Sequence, residues 1–172
     1  MNLTKLFETQ RVLDARIIEK QELTEVPLNN MILALITEIG EMSNDWGGFK
    51  HWKVNPQTKP GLLEEIADVF SFMLAIGNML HHRSGVKDIC IFEEDSIERE
   101  QYCYFEGITE QILGVTTDFV DLWSYGEITM GYSVTVTRFA VLTEMLGFTW
   151  DQVEQAYYDK NAINHERQES GY

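Results

Sequence analysis

Apolar residues recur at helical intervals along most of the chain, and this pattern predicts an all-α fold. The first segment, residues 3–20, has one apolar stripe and predicts an amphipathic helix. The stripe is formed by Leu3, Leu6, Leu13 and Ile17. Two further runs, residues 31–42 and 62–77, are apolar around isolated carboxylates and predict buried helices. Pro27 and Pro60 suit the starts of these two helices, because a first-turn residue needs no N–H for the helix.

The second half of the chain continues the helical periodicity, with one ambiguous stretch. A stripe over residues 108–123 predicts a helix with Ile108, Ile112, Val115, Phe119 and Trp123 on its apolar face. Residues 128–146 contain YSVTVTRF, which favours a strand by propensity. Apolar spacing from Tyr132 to Met145 is nevertheless helical, so a helix is predicted. Thr149-x-x-Gln152 is a capping box that opens a last helix. About five to six helices are therefore expected, as a bundle in a single domain spanning 1–172.

Composition and charge narrow the range of partners. The chain has 172 residues, is 44% hydrophobic and carries a net charge of −15, with 13 basic and 28 acidic residues. This balance argues against a nucleic-acid binder, which needs a basic face. The longest apolar run is too short and too polar to span a membrane, and residues 1–10 contain no signal-like apolar segment. Cys90 and Cys103 have neither metal-ligand spacing nor a disulfide framework, so we expect a cytoplasmic protein. The charge and the apolar runs together predict no nucleic-acid or membrane partner.

Two pairs of carboxylates interrupt the apolar helices. Glu38 and Glu41 stand one helical turn apart, as do Glu65 and Asp68, whereas Glu64 cannot share a face with Glu65. Two such charges about 5 Å apart repel by roughly 3 kcal/mol at an effective dielectric constant of ~20. The groups are therefore protonated, splayed into water, or bridged by a cation. Mg²⁺ or Mn²⁺ suits hard carboxylate oxygens, and zinc is disfavoured without histidine or cysteine. A helix–helix interface with surface partners remains the structural alternative.

Polar residues on the first helix and in the second loop are candidates for ligand contact. Gln10 falls inside the apolar stripe, where a buried amide must be satisfied, and Asp14 lies beside it. The alternative is a polar pair that faces solvent. The loop 49–53, FKHWK, places Phe49 and Lys50 among other aromatic and cationic residues. Such a loop suits base stacking and phosphate contact, or its aromatic residues pin it to the core.

The last helix carries a polar face that is unusual in so acidic a chain. Its members offer cations and amides on neighbouring turns: Lys160, Asn161, Asn164 and Arg167. Such a face is a candidate for contact with an anionic ligand. The alternative is a frayed C-terminal tail, with cations placed to suit the helix dipole.

Taken together, these segments resemble the dimeric dUTPase family of the all-α NTP pyrophosphatases, the group that includes MazG-like enzymes. The resemblance rests on the two acidic motifs and on four further segments. These segments are LFETQRVLDARI at 6–17, FKHWK at 49–53, LEEIADVFSFMLAIG at 63–77 and AYYDKNAINHERQESGY at 156–172. The segments come in the expected order, whereas residues 82–145 do not match the family residue by residue.

The resemblance implies Mg²⁺-dependent hydrolysis of dUTP, and often of dUDP, with attack of water on the α-phosphorus. dUTP then gives dUMP and pyrophosphate. It further implies that two or more Mg²⁺ ions, with Mn²⁺ as an alternative, bind the acidic motifs. The metal ligands would be Glu38, Glu41, Glu65 and Asp68. Glu38 and Glu41 would be catalytic, with Glu41 orienting or deprotonating the attacking water.

Substrate-binding residues also follow from the resemblance. Gln10 and Asp14 would meet the nucleoside, and Trp46 or Phe49 would flank the base, with Lys50 assisting at the phosphates. The residues that would meet sugar and phosphates are Lys160, Asn161, Asn164 and Arg167. The family is homodimeric, which implies a homodimer here.

Two other functions remain open at this point. One is a related pyrophosphohydrolase that prefers dCTP or acts broadly, as MazG-like enzymes do. The other is a non-catalytic helical dimer that binds a protein partner. For the enzyme, the two ends of the chain are expected to converge on the carboxylates.

Overall fold

The structure is a computed structural model that describes residues 3–84, 107–125 and 132–171, and all of its regular structure is α-helical. Within these ranges six helices follow one another: α1 Leu3–Lys20, α2 Leu28–Trp46, α3 Leu62–Ser84, α4 Ile108–Tyr125, α5 Tyr132–Met145 and α6 Trp150–Ser170. None of these helices is long and apolar enough to cross a membrane. The all-α prediction is confirmed. Cys90 and Cys103 lie outside the described residues, and the single-domain assignment stays a prediction.

Helix boundaries follow local signals in the sequence. α2 begins directly after Pro27 and ends at Gly47, which has a φ of 70° and donates its N–H to the Ser43 carbonyl. That left-handed conformation favours glycine. α6 begins with the predicted capping box. The Thr149 hydroxyl accepts from the Gln152 backbone N–H, and the Gln152 side chain accepts from the Thr149 backbone N–H at 2.8 Å.

The central helix is α3, which packs against α1, α2, α5 and α6. Phe70 of α3 stacks on Phe139 of α5 at 5.9 Å between ring centroids and meets the edge of Tyr157 of α6 at 5.8 Å. Burying an aromatic side chain of this kind stabilises the fold by about 1.5–3 kcal/mol. Because Glu65 and Asp68 lie on this same helix, the packing of the core fixes where their carboxylates stand.

The α5 segment resolves the ambiguous stretch in favour of a helix. Val136, Phe139 and Leu142 are buried at helical spacing, despite the β propensity of YSVTVTRF. Tertiary packing of an apolar face outweighs propensity differences, which are small per residue. Helix is therefore the correct prediction for the described part of residues 128–146. Met145 departs from the predicted stripe and is partly exposed, because it lies in the last turn of the helix.

One aromatic predicted on an apolar face is exposed instead, and so is one whose placement was left open. Trp123 is 60% exposed, because the buried stripe of α4 continues through Leu122, one residue earlier. Together with Leu113 and Val120, Trp123 forms what we call the exposed face of α4. Trp52 is 63% exposed in the loop between α2 and α3. That side chain does not pin the loop to the core.

Candidate active site

Three carboxylates from two helices meet at one point. Glu38 of α2 and Glu65 and Asp68 of α3 each offer an oxygen, and these oxygens lie within 4.8 Å of one another. We call this group the acidic cluster. All three residues are half-buried. Glu41 lies outside the group and is exposed, but its charge still raises the pKa of Glu38 and Glu65. Three of the four predicted metal ligands therefore meet, and Glu41 lies near them.

Burial raises the pKa of every carboxyl in the acidic cluster, and neighbouring carboxylates add to the rise. Burial is the largest cause for Glu38, followed by the charges of Asp68, Glu41 and Glu65, and its pKa rises to about 7. Burial also raises the pKa of Glu65 and of Asp68. A divalent cation offsets the repulsion and favours the ionised form. The donor set is entirely hard oxygen, so these residues fit Mg²⁺ or Mn²⁺.

Lys160 connects the last helix to the acidic cluster. Its Nζ donates to Asp68 Oδ2 at 2.5 Å, and the two side chains are only 19% and 16% exposed. Lys160 and Arg167 lower the pKa of Asp68, but burial has the larger effect. Arg167 is exposed and donates from Nη1 to Asn164 Oδ1 at 3.3 Å. Positive charge from α6 therefore acts directly on the acidic cluster.

A pocket of about 690 Å³ opens beside Asp68. α1, α3 and the loop between α1 and α2 form most of its wall, and most of the lining side chains are apolar. Its polar lining includes Gln10, Asp14, Asp68, Ser71 and Asn164. Pockets for small ligands have this volume and this balance of apolar wall and few polar groups. Residues near both ends of the chain therefore share one cavity with a member of the acidic cluster.

Both ends of the Gln10 carboxamide are hydrogen-bonded. Nε2 donates to Asp14 Oδ1 at 2.7 Å, and the Tyr157 hydroxyl donates to Oε1 at 3.1 Å. Gln10 is 4% exposed, so the solvent-facing alternative is wrong for this residue. Burial raises the pKa of Asp14 to about 6, opposed by the hydrogen bond from Gln10. The pocket therefore presents a satisfied amide and a carboxyl that changes charge near neutral pH.

Asn161 contributes a buried donor beside this network. Its Nδ2 has no hydrogen-bond partner among the described residues, and the residue is 6% exposed. The carboxamide still lies close enough to the Tyr157 oxygen to lower its pKa, against the larger opposing effects of burial and the Asp14 charge. An unsatisfied buried donor costs about 1–3 kcal/mol, and this one lies beside the pocket without forming part of its wall.

Six of the nine predicted substrate contacts do not line this pocket. Lys160, Asn161 and Arg167 lie on α6 beside it, and the other three lie at the end of α2 and in the loop after it. Trp46 is half-buried against the core, and Phe49 packs on it at 6.5 Å between ring centroids. Lys50 donates from Nζ to the Asn44 carbonyl at 2.8 Å, near the end of α2, and also lies over the Phe49 ring. Within the described part of one chain, these side chains contact each other and α2 instead of the pocket. Their roles stay predictions.

Several residues of the site gave no functional signal in the sequence. Met31, Phe72 and Ala75 line the pocket, yet apolar residues of this kind cannot be told from core residues by spacing. Ser71 also lines it, while its hydroxyl donates to the Ala67 carbonyl of its own helix. Tyr157 lies within a segment that resembles the family, but only the folded structure reveals its contact with Gln10.

Comparison with known protein families identifies the chain over almost its whole length. A family model described as dUTPase matches residues 2–172. This match includes both acidic motifs, the pocket residues of α1 and the polar face of α6. It also spans residues 82–145, which the resemblance of individual motifs did not cover. Comparison with curated proteins finds no match.

Proposed function

The chain belongs to the dimeric, all-α dUTPase family, and from this premise we propose that it hydrolyses dUTP to dUMP and pyrophosphate at the acidic cluster, with Mg²⁺ bound there. The main support for the proposal is that Asp68 belongs to two parts of the site. This residue belongs to the acidic cluster and also to the wall of the pocket. A nucleotide with its nucleoside in the pocket would therefore have its phosphates beside the metal ligands.

Glu38, Glu65 and Asp68 would hold the metal, and Glu41 would join them from the rim as a ligand of a second ion. The support for this assignment is the close approach of three oxygens and the raised pKa of all three carboxyls. Bound Mg²⁺ would neutralise charge on the phosphates and acidify an attacking water. dUDP is a further expected substrate, since the same contacts reach a diphosphate.

The remaining polar residues would divide between the nucleoside and the phosphates. Gln10 and Asp14 would contact the nucleoside inside the pocket. Lys160, Arg167 and Asn164 would contact sugar and phosphate oxygens, where their charge and N–H groups offset negative charge. The buried Asn161 donor, which has no hydrogen-bond partner among the described residues, would complete this set.

In the reaction, Glu41 would orient the attacking water and accept its proton, with Glu38 beside it. The water oxygen forms a bond to the α-phosphorus, and the bond from that phosphorus to the bridging oxygen breaks. The electron pair of the broken bond leaves with pyrophosphate. Lys160 and Arg167 would stabilise the charge that develops on the leaving group.

A homodimer is part of the proposal. The exposed face of α4 supports it, since Leu113 and Trp123 are 59% and 60% exposed and lie on one helix with Val120. Contiguous apolar surface on a helix is characteristic of an interface with another protein. A second copy of the chain would cover it.

A pyrophosphate-release assay with dUTP, dCTP, dTTP and UTP, each with and without Mg²⁺, tests the function. We expect turnover of dUTP that requires the metal and exceeds turnover of the other nucleotides. A preference for dCTP or for all four nucleotides would replace the proposed substrate with that of a related pyrophosphohydrolase. Absence of turnover, together with absence of Mg²⁺ binding by calorimetry, would contradict the catalytic proposal and favour a non-catalytic helical dimer.

A further inference from the structure

We propose that Tyr157 is a positioning residue that fixes the direction of the Gln10 carboxamide at the nucleoside pocket. The inference rests on the proposed function, because it takes Gln10 as a contact of the nucleoside. The Tyr157 hydroxyl lies 3.1 Å from Gln10 Oε1 and 3.4 Å from the Leu6 carbonyl oxygen. Tyr157 is fully buried, so water does not compete for this hydroxyl.

A carboxamide has two chemically different ends, and rotation by a half-turn exchanges donor and acceptor. Tyr157 opposes this rotation by donating to Oε1, and Asp14 opposes it as well, because the half-turn would place the amide oxygen against its carboxylate. One N–H of that amide is used by Asp14, and the second N–H remains for a ligand. The pocket therefore presents Gln10 as a hydrogen-bond donor.

A fixed donor distinguishes the two common pyrimidines. Uracil has a carbonyl oxygen at position 4, which accepts a hydrogen bond, whereas cytosine has an amino group there, which donates one. A donor that cannot rotate leaves the cytosine amino group facing another N–H, and an unpaired polar contact in a closed pocket is strongly unfavourable. Tyr157 would therefore raise the selectivity for a uracil nucleotide without touching it.

The core holds the Tyr157 ring independently of its hydroxyl. The ring meets Phe70 at 5.8 Å and Tyr158 at 5.4 Å between centroids, both edge-on. Burial is the largest cause that raises the pKa of Tyr157, and the Asp14 charge adds to it, so the hydroxyl keeps its proton and remains a donor. Removal of the hydroxyl alone therefore changes the hydrogen bond and leaves the packing in place.

The test compares Tyr157→Phe with Tyr158→Phe, the same chemical change one residue later. The Tyr158 hydroxyl has no hydrogen-bond partner among the described residues, so this variant is the matched control. We expect Tyr157→Phe to raise KM for dUTP about tenfold, with kcat within about twofold of wild type, and to lower the ratio of dUTP to dCTP turnover. Binding of an α,β-imido analogue of dUTP, measured by calorimetry, should weaken by the same factor. Tyr158→Phe should change neither quantity.

A double-mutant cycle with Gln10→Leu separates positioning from general destabilisation. If Tyr157 acts through Gln10, the variant with both changes binds the analogue as Gln10→Leu does alone. Gln10→Leu also removes the bond to Asp14, so circular dichroism of all three variants checks that each one folds. Unchanged binding in Tyr157→Phe, or fully additive losses in the double variant, would overturn the inference and leave the proposed function intact. A wild-type protein that neither binds nor hydrolyses dUTP would overturn both.

Discussion

Glu38 determines how the metal-free protein should respond to pH. Its pKa in the folded protein is about 7, against an ordinary value of 4.5. A carboxyl with a raised folded pKa favours the folded state below the ordinary value, and this contribution is lost as pH rises through the folded value. The raised pKa values of Glu65 and Asp68 act in the same direction.

We therefore expect the Tm of the metal-free protein to fall between about pH 5 and pH 8. Thermal unfolding in the presence of a chelator measures this, and Glu38→Gln should flatten the slope. Glu64→Gln is the control, because Glu64 is an exposed carboxylate of the same helix and lies outside the acidic cluster. Added Mg²⁺ should raise the Tm most at the alkaline end. A Tm that rises over this interval in the metal-free protein would contradict the electrostatic account.

Lys160 should influence metal binding before any nucleotide is present. Its ammonium group bonds to Asp68, so a cation on the acidic cluster meets a positive charge nearby. Removing one positive charge about 5 Å from a divalent ion should tighten Mn²⁺ binding by at least about tenfold, because the repulsion is ~1.7 kcal/mol even at the dielectric constant of water. Lys160→Gln should show this tightening in a calorimetric or electron-paramagnetic titration, with weaker binding of the nucleotide analogue.

Lys20→Gln makes the same charge change on the exposed last turn of α1 and serves as the control. It should leave Mn²⁺ affinity within about twofold, because solvent screens distant charges. Weaker Mn²⁺ binding in Lys160→Gln than in wild type would mean that the lysine supports the metal site instead of competing for it.

The capping box determines where α6 begins. Thr149→Ala removes the hydroxyl that accepts from the Gln152 N–H and should lower the free energy of unfolding by about 1 kcal/mol. Urea denaturation measures the loss. Thr37→Ala is the control, since that exposed hydroxyl only donates to the Leu33 carbonyl of its own helix. Equal stability of Thr149→Ala and wild type would show that packing alone defines this end of α6.

Apolar periodicity predicted the first five described helices, and the capping box predicted the start of the last one. Gly47 and Thr149 marked helix ends because their local chemistry acts without the rest of the fold. The prediction that Trp123 lies on the apolar face was wrong, because helical spacing does not say which of two adjacent residues, Leu122 or Trp123, faces the core. That choice depends on how α4 rotates against α2 and α5, which is a tertiary property.

The acidic motifs alone were less informative about the site. Spacing within one helix placed Glu65 and Asp68 on one face, but only the packing of α2 on α3 brings Glu38 to them. Glu41 follows Glu38 by three residues, as Asp68 follows Glu65, and yet Glu41 is exposed. The bond between Tyr157 and Gln10 joins residues far apart in the chain, so no local pattern contains it.

At the scale of the whole molecule, the exposed face of α4 predicts self-association. Leu113→Lys together with Trp123→Lys should convert a dimer into a monomer, because two buried charges at an interface are strongly unfavourable. Light scattering after size-exclusion chromatography at micromolar concentration measures the mass. Val12→Lys, on an exposed position of α1, is the control and should leave the mass unchanged. A wild-type monomer, or a dimer that survives both charges, would contradict this interface.

The two ends of the chain meet across the central helix. Gln10 of α1 and Asn164 of α6 line one pocket with Asp68 of α3, while Lys160 bonds to Asp68 from α6. A site built in this way depends on the fold as a whole, since the acidic cluster and the pocket draw their residues from α1, α2, α3 and α6 together. In the proposed reaction, Asp68 joins the metal site to the nucleotide pocket.

Pyrophosphate release from dUTP by Asp68→Asn, compared with Glu64→Gln, tests that claim most directly. Both variants replace one carboxylate of α3 by an amide, but only Asp68 belongs to the acidic cluster and the pocket. We expect Asp68→Asn to lose at least about 100-fold in kcat, equivalent to ~3 kcal/mol, with an unchanged circular dichroism spectrum. Glu64→Gln should stay within about twofold of wild type. Turnover by Asp68→Asn close to that of wild type would contradict the account.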